Sequence, residues 1–173
     1  MDIISHGLWG GIAFGRGSVR SYWTAFFFGV MPDLFSFGLF TIATFLGLSS
    51  RVSWGDGEPP PMEAIPQYVH GLYNVTHSLI IFVLVFALVW ILREKRPYWL
   101  MAGWGLHILV DVPTHSYQFF PTPFLWPFSD YRFDGEGWGH PLIFFPNIAL
   151  LVILYGIFFY WRYKQTKRFF PKL

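Results

Sequence analysis

The run His107-Ile108-Leu109-Val110-Asp111-Val112-Pro113-Thr114-His115 carries the densest set of chemically capable side chains in the sequence. His107 and Asp111 are four residues apart, so on a helix they share a face and can grip one metal ion. His115 repeats the spacing, although Pro113 is a residue that ends or bends a helix. His6, Asp33 and His77 are the other ionisable side chains set in apolar surroundings. Imidazoles with carboxylates suit zinc first, and manganese or iron as alternatives. Catalytic zinc takes three protein ligands and leaves a position for water. Six candidates (His6, Asp33, His77, His107, Asp111 and His115) exceed what one structural ion needs, which opens a two-metal centre. Such a centre lowers the pKa of water and clamps the attacking and leaving oxygens.

These residues need elements that hold them, and the composition says which kind. The 173 residues are 54% hydrophobic and 23% aromatic, with only 13% charged. Soluble domains carry roughly 25% charge. Disorder is excluded by the aromatic content. A net charge of +2 gives no basic footprint for nucleic acid. With no cysteine there is no disulfide framework and no thiolate metal site. The reading is one integral-membrane domain over 1–173, an all-α polytopic bundle.

Four long apolar stretches predict about four spans: Tyr22–Leu48, Leu79–Leu92 extended back to Val75, Tyr98–Val112, and Leu142–Trp161. About 20 residues cross a bilayer core, so the second and third are short and the first is overlong. Met31-Pro32-Asp33 is expected to kink the first stretch or split it. Asp2 to Phe14 reads as a short N-terminal helix packed on the first span, with a turn at Gly15–Ser18; Asp2 is the wrong charge for a signal peptide.

Basic residues gather before the first span (Arg16, Arg20), between the second and third (Arg93, Lys95, Arg96), and in the tail (Arg162, Lys164, Lys167, Arg168, Lys172). The long loops, about 49–73 and 113–141, are net acidic through Asp56, Glu58, Glu63, Asp130, Asp134 and Glu136. The positive-inside rule puts the basic ends in the cytoplasm and these two irregular loops outside. Tyr22, Trp23, Trp90, Tyr98, Trp99, Tyr160 and Trp161 then fall near the inner face, and Trp54, Trp126 and Trp138 near the outer one. Pro59-Pro60-Pro61 marks a semi-rigid outer loop. Phe119–Phe128 reads as an interfacial loop, or in a sharper version a substrate-facing lid.

Depth decides whether the six can meet. At about 1.5 Å of rise per residue, His6 lies roughly 15 Å above Arg16 and Asp33 roughly 20 Å above Arg20. His77 lies roughly 24 Å above Arg93, and His107 and Asp111 roughly 15–21 Å above Pro97, with His115 a little higher. All fall in one slab in the outer half of the membrane. Each also has a plainer role: Asp33 as a helix cap, His77 as a helix-start residue, His107 with Asp111 as a structural pair. His70 and His140 read as outer-loop residues without a role in the site.

The order His6-Gly7 with Gly10-Gly11, Met31-Pro32-Asp33, Thr76-His77-Ser78, His107 to Asp111, Thr114-His115 and Trp126-Pro127 resembles the LexA-regulated, membrane-bound metal-dependent hydrolase family. Many members carry a second aspartate where Phe35 stands here, and a histidine closer to the Thr-His-Ser unit than His70. The resemblance implies a bacterial inner-membrane hydrolase that uses a metal-activated water. A lipid or lipid-linked ester or phosphoester is the expected substrate, because a site at that depth is entered most easily from the leaflet. Asp33, Asp111 or an unliganded histidine would act as base. No nucleophile-elbow serine pattern is present. Two other classes compete: a non-catalytic membrane protein with a structural metal or polar cluster, and a metal transporter. The transporter is disfavoured because 82–92 supplies no ionisable group, and 149–159 only Tyr155, to continue a pathway.

Overall fold

The structure, a computed structural model, describes residues 1–52 and 60–169, with side chains described through residue 164. Trp54, Asp56, Glu58, Pro59 and Lys172 lie outside the described residues, as do the side chains of Lys167 and Arg168. The described residues form seven α-helices and short 3-10 turns, with no strand.

Helix α1 (Ile3–Phe14) starts because Asp2 caps it, its Oδ1 accepting from the Ser5 amide at 2.9 Å. The chain turns at Gly15–Ser18, and Ser18 caps α2 (Val19–Asp33) by accepting from the Ser21 amide at 3.0 Å. Pro32 does not split this span. The helix continues through a π-helical turn at Leu34–Gly38 into α3 (Leu39–Phe45), an unbroken 27-residue apolar rod from Val19. Proline removes one amide donor, and the wider turn that follows takes up the lost register. The Ser36 hydroxyl donates to the Pro32 carbonyl at 3.0 Å. Asp33 makes no side-chain cap, which removes its plainer reading.

The second span is broken. Helix α4 (Gln67–Thr76) and α5 (Leu79–Leu92) meet at His77-Ser78 with a 55° bend. Ser78 caps α5, its Oγ accepting from the Ile81 amide at 3.1 Å. Val75 and Thr76 therefore close α4 instead of extending α5. His70 lies on α4 and not in an open loop.

The third stretch folds as a 3-10 turn (Trp99–Met101) and α6 (Ala102–Thr114), a 13-residue helix. That is well below the roughly 20 residues a crossing needs, and one face of α6 is buried from Gly103 to Thr114. Its glycines, histidine and aspartate suit a helix surrounded by protein. Helix α7 (Pro141–Phe169) is apolar over Pro141–Lys164 and exposes most of its surface. Two helices are thus long and apolar enough to cross a membrane, or three if the bent α4–α5 pair is one span. Exposed Val83, Leu84, Leu88 and Ile91 on α5, with Val152, Ile153 and Phe159 on α7, form the apolar exterior that hydrocarbon would cover.

The core is built on α2 as its central member. A Cβ on Gly10 of α1 would lie 2.6 Å from the Ala25 carbonyl oxygen, and one on Gly103 of α6 2.7 Å from the same oxygen. The backbones of α1 and α6 therefore both close on one carbonyl of α2, the close approach that small residues permit between membrane helices. Met31, Met101, Trp104 and Ile108 fill one cluster below this seam. Ile65, Val69, Tyr73 and Phe120 fill a second one. The 119–128 loop departs from the interfacial expectation, because Phe120, Thr122 and Pro123 are fully buried and exposure is confined to Pro127 and Phe128. It turns inward because the α4–α5 break needs partners: the Leu79 amide donates to Phe124 O at 3.0 Å, and the Ser78 hydroxyl donates to Trp126 O.

Candidate metal centre

All six singled-out residues converge around the carboxylate of Asp111. His6 is brought by α1, Asp33 by the Pro32 end of α2, His77 by the α4–α5 break, and His107 and Asp111 by α6. His115 follows the end of α6 in extended conformation. Asp111 Oδ1 lies 2.8 Å from His6 Nε2 and 3.4 Å from His115 Nε2. Asp111 Oδ2 lies 3.0 Å from His107 Nε2 and 3.6 Å from His77 Nε2. His77 and His107 Nε2 are 3.0 Å apart, with Asp33 Oδ1 3.4 Å from the first and 3.9 Å from the second. The His6 and His107 rings stack at 3.7 Å.

The proton positions follow from the outer partners. His107 Nδ1 is 2.6 Å from Gly29 O, His77 Nδ1 3.2 Å from Tyr73 O, and His115 Nδ1 3.1 Å from Phe120 O. A carbonyl oxygen only accepts, so each of these rings carries its proton on Nδ1 and, when neutral, presents a lone pair at Nε2. The centre is then lined by three imidazole lone pairs and two carboxylates, with the Met1 ammonium as a donor on the Asp111 Oδ1 and His115 side. His6 Nε2 and Asp111 Oδ2 are buried without a hydrogen-bond partner. Acceptors packed at 3.0 Å repel unless a cation or protons lie among them, and unpaired buried polar atoms are costly.

The spacing fits a metal ion. Asp33 Oδ1, His77 Nε2, His107 Nε2 and Asp111 Oδ2 have five of their six separations between 3.0 and 3.9 Å. Four donors at zinc bond lengths of 2.0–2.1 Å in a tetrahedron stand about 3.3 Å apart. His6, Asp33 and His107 form a second compact donor set sharing two of these residues. The carbonyl bonds at Nδ1 are the outer-shell pattern that orients ligating histidines. The Met1 amino nitrogen also reaches this side, 2.5 Å from Asp111 Oδ1 and 3.2 Å from His115 Nε2.

Access is restricted. His6, His77, His107 and Asp111 side chains are at most 1% exposed, whereas Asp33 keeps 17% and His115 11%. His115 opens onto a cavity of 390 Å³ whose far wall includes Glu136, Trp138 and His140. That wall is strapped to the end of α6: the Gly135 amide donates to His115 O at 2.9 Å and the Glu136 amide to Pro113 O at 3.0 Å. A Cβ on Gly135 would collide with the Pro113 carbonyl.

His70 is not in the centre. Its Nε2 meets Met62 O at 3.0 Å and its ring stacks on Phe120 at 4.8 Å. Phe35 is half-exposed on the continuation of α2. His140 is exposed, as expected of a surface residue, but it shares the cavity wall. The supporting carbonyls of Gly29, Tyr73 and Phe120 escaped the sequence reading, since backbone oxygens have no residue signature. Tyr73 did have one: it sits four residues before His77, and the two rings stack at 3.7 Å.

A family model described as YdjM inner membrane protein matches residues 1–171, so the chain belongs to that family. No curated protein and no solved structure matches it.

Proposed function

We propose that this member of the YdjM inner membrane protein family is a membrane-embedded, metal-dependent hydrolase acting on a lipid or lipid-linked ester or phosphoester. The observation that carries the reading is the inward-facing set of acceptors. Nε2 of His77 and His107, Asp33 Oδ1 and Asp111 Oδ2 face one another, while the Met1 ammonium meets only the Asp111 Oδ1 and His115 side. Zinc is the first choice for such ligands, with manganese second. A bound divalent ion would supply a lowered pKa for water and polarisation of the ester oxygen.

The residues divide the remaining work. Asp111 directs one oxygen toward His6 and His115 and the other toward His77 and His107, which suits a shared ligand. With the metal held by His77, His107 and Asp111, Asp33, the most accessible carboxylate of the set, would be placed to take a proton from water as general base. The narrow surroundings keep bulk water from the centre, and the cavity beside His115 takes the polar part of the substrate. The basic ends face the cytoplasm and the centre lies in the outer half of the membrane.

Two measurements test this. Elemental analysis of detergent-purified protein should give one or two equivalents of zinc or manganese. Metal-loaded protein should release product from a panel of membrane lipids and lipid-linked phosphoesters, and Asp33→Asn should not. Absence of metal after loading would overturn the centre. Metal without turnover on any of these substrates would leave a structural ion and overturn the hydrolase.

A further inference from the structure

The cavity beside His115 is bounded by two loops that are pinned to each other as well as to the end of α6. Besides the straps from Gly135 and Glu136, the Tyr117 amide donates to Asp134 Oδ1 at 2.8 Å and the Tyr117 hydroxyl to Arg132 O at 2.8 Å. The His140 amide closes the far wall by donating to Gly137 O at 2.8 Å. The chain's own bonds thus shape the walls in advance, which lowers the cost of binding. At 390 Å³ the space falls within the roughly 300–1,000 Å³ of small-molecule sites. Its lining is polar and mixed. The Ser116 and Gln118 side chains have no hydrogen-bond partner among the described residues. Glu136 Oε1 accepts from the Gly137 amide at 3.1 Å, which leaves Oε2 as a further acceptor. The Leu142 amide donates to His140 Nδ1 at 3.4 Å, so the ring proton stands on Nε2 as a donor. Trp138, 38% exposed, adds an aromatic face. Among the described residues no lysine or arginine lines the cavity, and Glu136 is its one carboxylate.

We propose that this cavity binds a sugar, the polar part of the substrate being a glycosyl group joined to the lipid through a phosphoester. The phosphoester rests on the hydrolase reading above, whereas the sugar rests on the cavity walls. His115 lines the cavity while its Nε2 stands 3.4 Å from Asp111 Oδ1. A phosphate at the centre and a ring in the cavity can therefore belong to one molecule. Walls that hold a carboxylate and no fixed cation disfavour a headgroup with negative charge beyond the linking phosphate. An ammonium headgroup suits the charge but not the bonding, because it only donates. Ser116, Gln118 and His140 would turn donors toward it unpaired, which costs affinity. An ammonium, close to a water at roughly 30 Å³, would also leave most of the space unfilled. Sugar hydroxyls both donate and accept, so they match Ser116, Gln118, Glu136 and His140 alike. The C–H face of the sugar ring packs on the apolar body of Trp138.

The test titrates metal-loaded, full-length protein by calorimetry in a polyoxyethylene detergent, which carries no sugar. The sugar probes are glucose 1-phosphate, mannose 1-phosphate and N-acetylglucosamine 1-phosphate. Glycerol 3-phosphate, phosphoethanolamine and inorganic phosphate serve as the comparison. At least one sugar phosphate should bind about tenfold more tightly than all three, the weight of one or two added hydrogen bonds. Trp138→Ala should erase that preference, and Gln118→Ala should reduce it about threefold to fivefold. Trp138→Phe, which keeps an aromatic face, should retain most of it. These variants keep the backbone straps and every residue of the centre, so metal content and affinity for inorganic phosphate should not move. A preference for phosphoethanolamine, equal binding of all probes, or Trp138→Ala that binds sugar phosphate like wild type overturns the proposal. A sugar preference that Trp138→Ala removes, in protein that hydrolyses none of the lipid panel, supports the cavity assignment and overturns the hydrolase alone. Turnover of sugar-free lipids with equal binding of all probes does the reverse.

Discussion

His77 and His107 meet nitrogen to nitrogen, their Nε2 atoms 3.0 Å apart, while each turns Nδ1 to a backbone carbonyl of its own surroundings. With their protons committed outward, the rings can approach so closely only if something positive is shared between them. That pair, more than the number of histidines, is what supports the proposed metal centre.

Asp111→Ala should abolish metal binding. It removes the carboxylate within 4 Å of four histidines, so elemental analysis should fall from one or two equivalents to none. Retention of a full equivalent would mean that Asp111 is not a ligand.

Asp33→Asn should separate binding from turnover. The amide keeps an oxygen donor but is no base, so metal remains while kcat drops by about 10²–10⁴-fold, the usual weight of a general base. Single-turnover rates on the lipid panel would show it. Unchanged kcat would return Asp33 to a positioning role.

His70→Ala should leave metal content untouched. It loses the Met62 contact and the Phe120 stack, a cost of about 1 kcal/mol in unfolding free energy. Loss of metal in this variant would show that the Tyr73–Phe120 column transmits to the centre.

Ser78→Ala should cost about 1 kcal/mol through the lost helix cap, and should weaken metal affinity too. The same hydroxyl donates to Trp126 O and fixes the bend that delivers His77. A thermal-denaturation series with and without chelator would separate the two effects.

Much of this site is legible in residue type and depth. His6, Asp33, His77 and the 107–115 run share a level along their helices, and helical rise alone is enough to place them there. His115 reaches the centre even though α6 ends at Thr114, because one extended residue still spans the distance to Asp111. The path of the backbone is less legible. Pro32 signals a break, yet a π-helical turn carries the helix on, while the true break falls at His77-Ser78 where no proline marks it. Periodicity is also silent on α6, since an apolar run of that length suits a buried helix as well as a membrane-crossing one. Phe119–Phe124 looks interfacial by composition, but the backbone needs of the bend at His77 draw it inward. Of the four expected spans, two or three are long and apolar enough to cross a membrane, and four are not confirmed: apolar content reports exclusion from water and does not distinguish lipid from protein.

Glycine contacts yield one more expectation. Gly71→Ala, with nothing within 4 Å of the new methyl, should stabilise α4 by about 0.5–1 kcal/mol. Gly10→Ala and Gly103→Ala should each cost about 1–3 kcal/mol, because the methyl meets the Ala25 carbonyl. Equal melting temperatures for the three would show that the seam can yield.

The seam on α2 also acts as a gauge. His6 and His107 arrive on two helices that both rest on the bare peptide of α2 at Ala25–Gly29, and their rings stack on each other at 3.7 Å. A methyl group inserted at Gly10 or Gly103 carries no charge and touches no ligand, yet it would spread the donor cage by a fraction of an ångström. Ions of different radius would feel that change unequally. Calibration of the cage, and with it preference among metals, is thus written in positions where the side chain is missing.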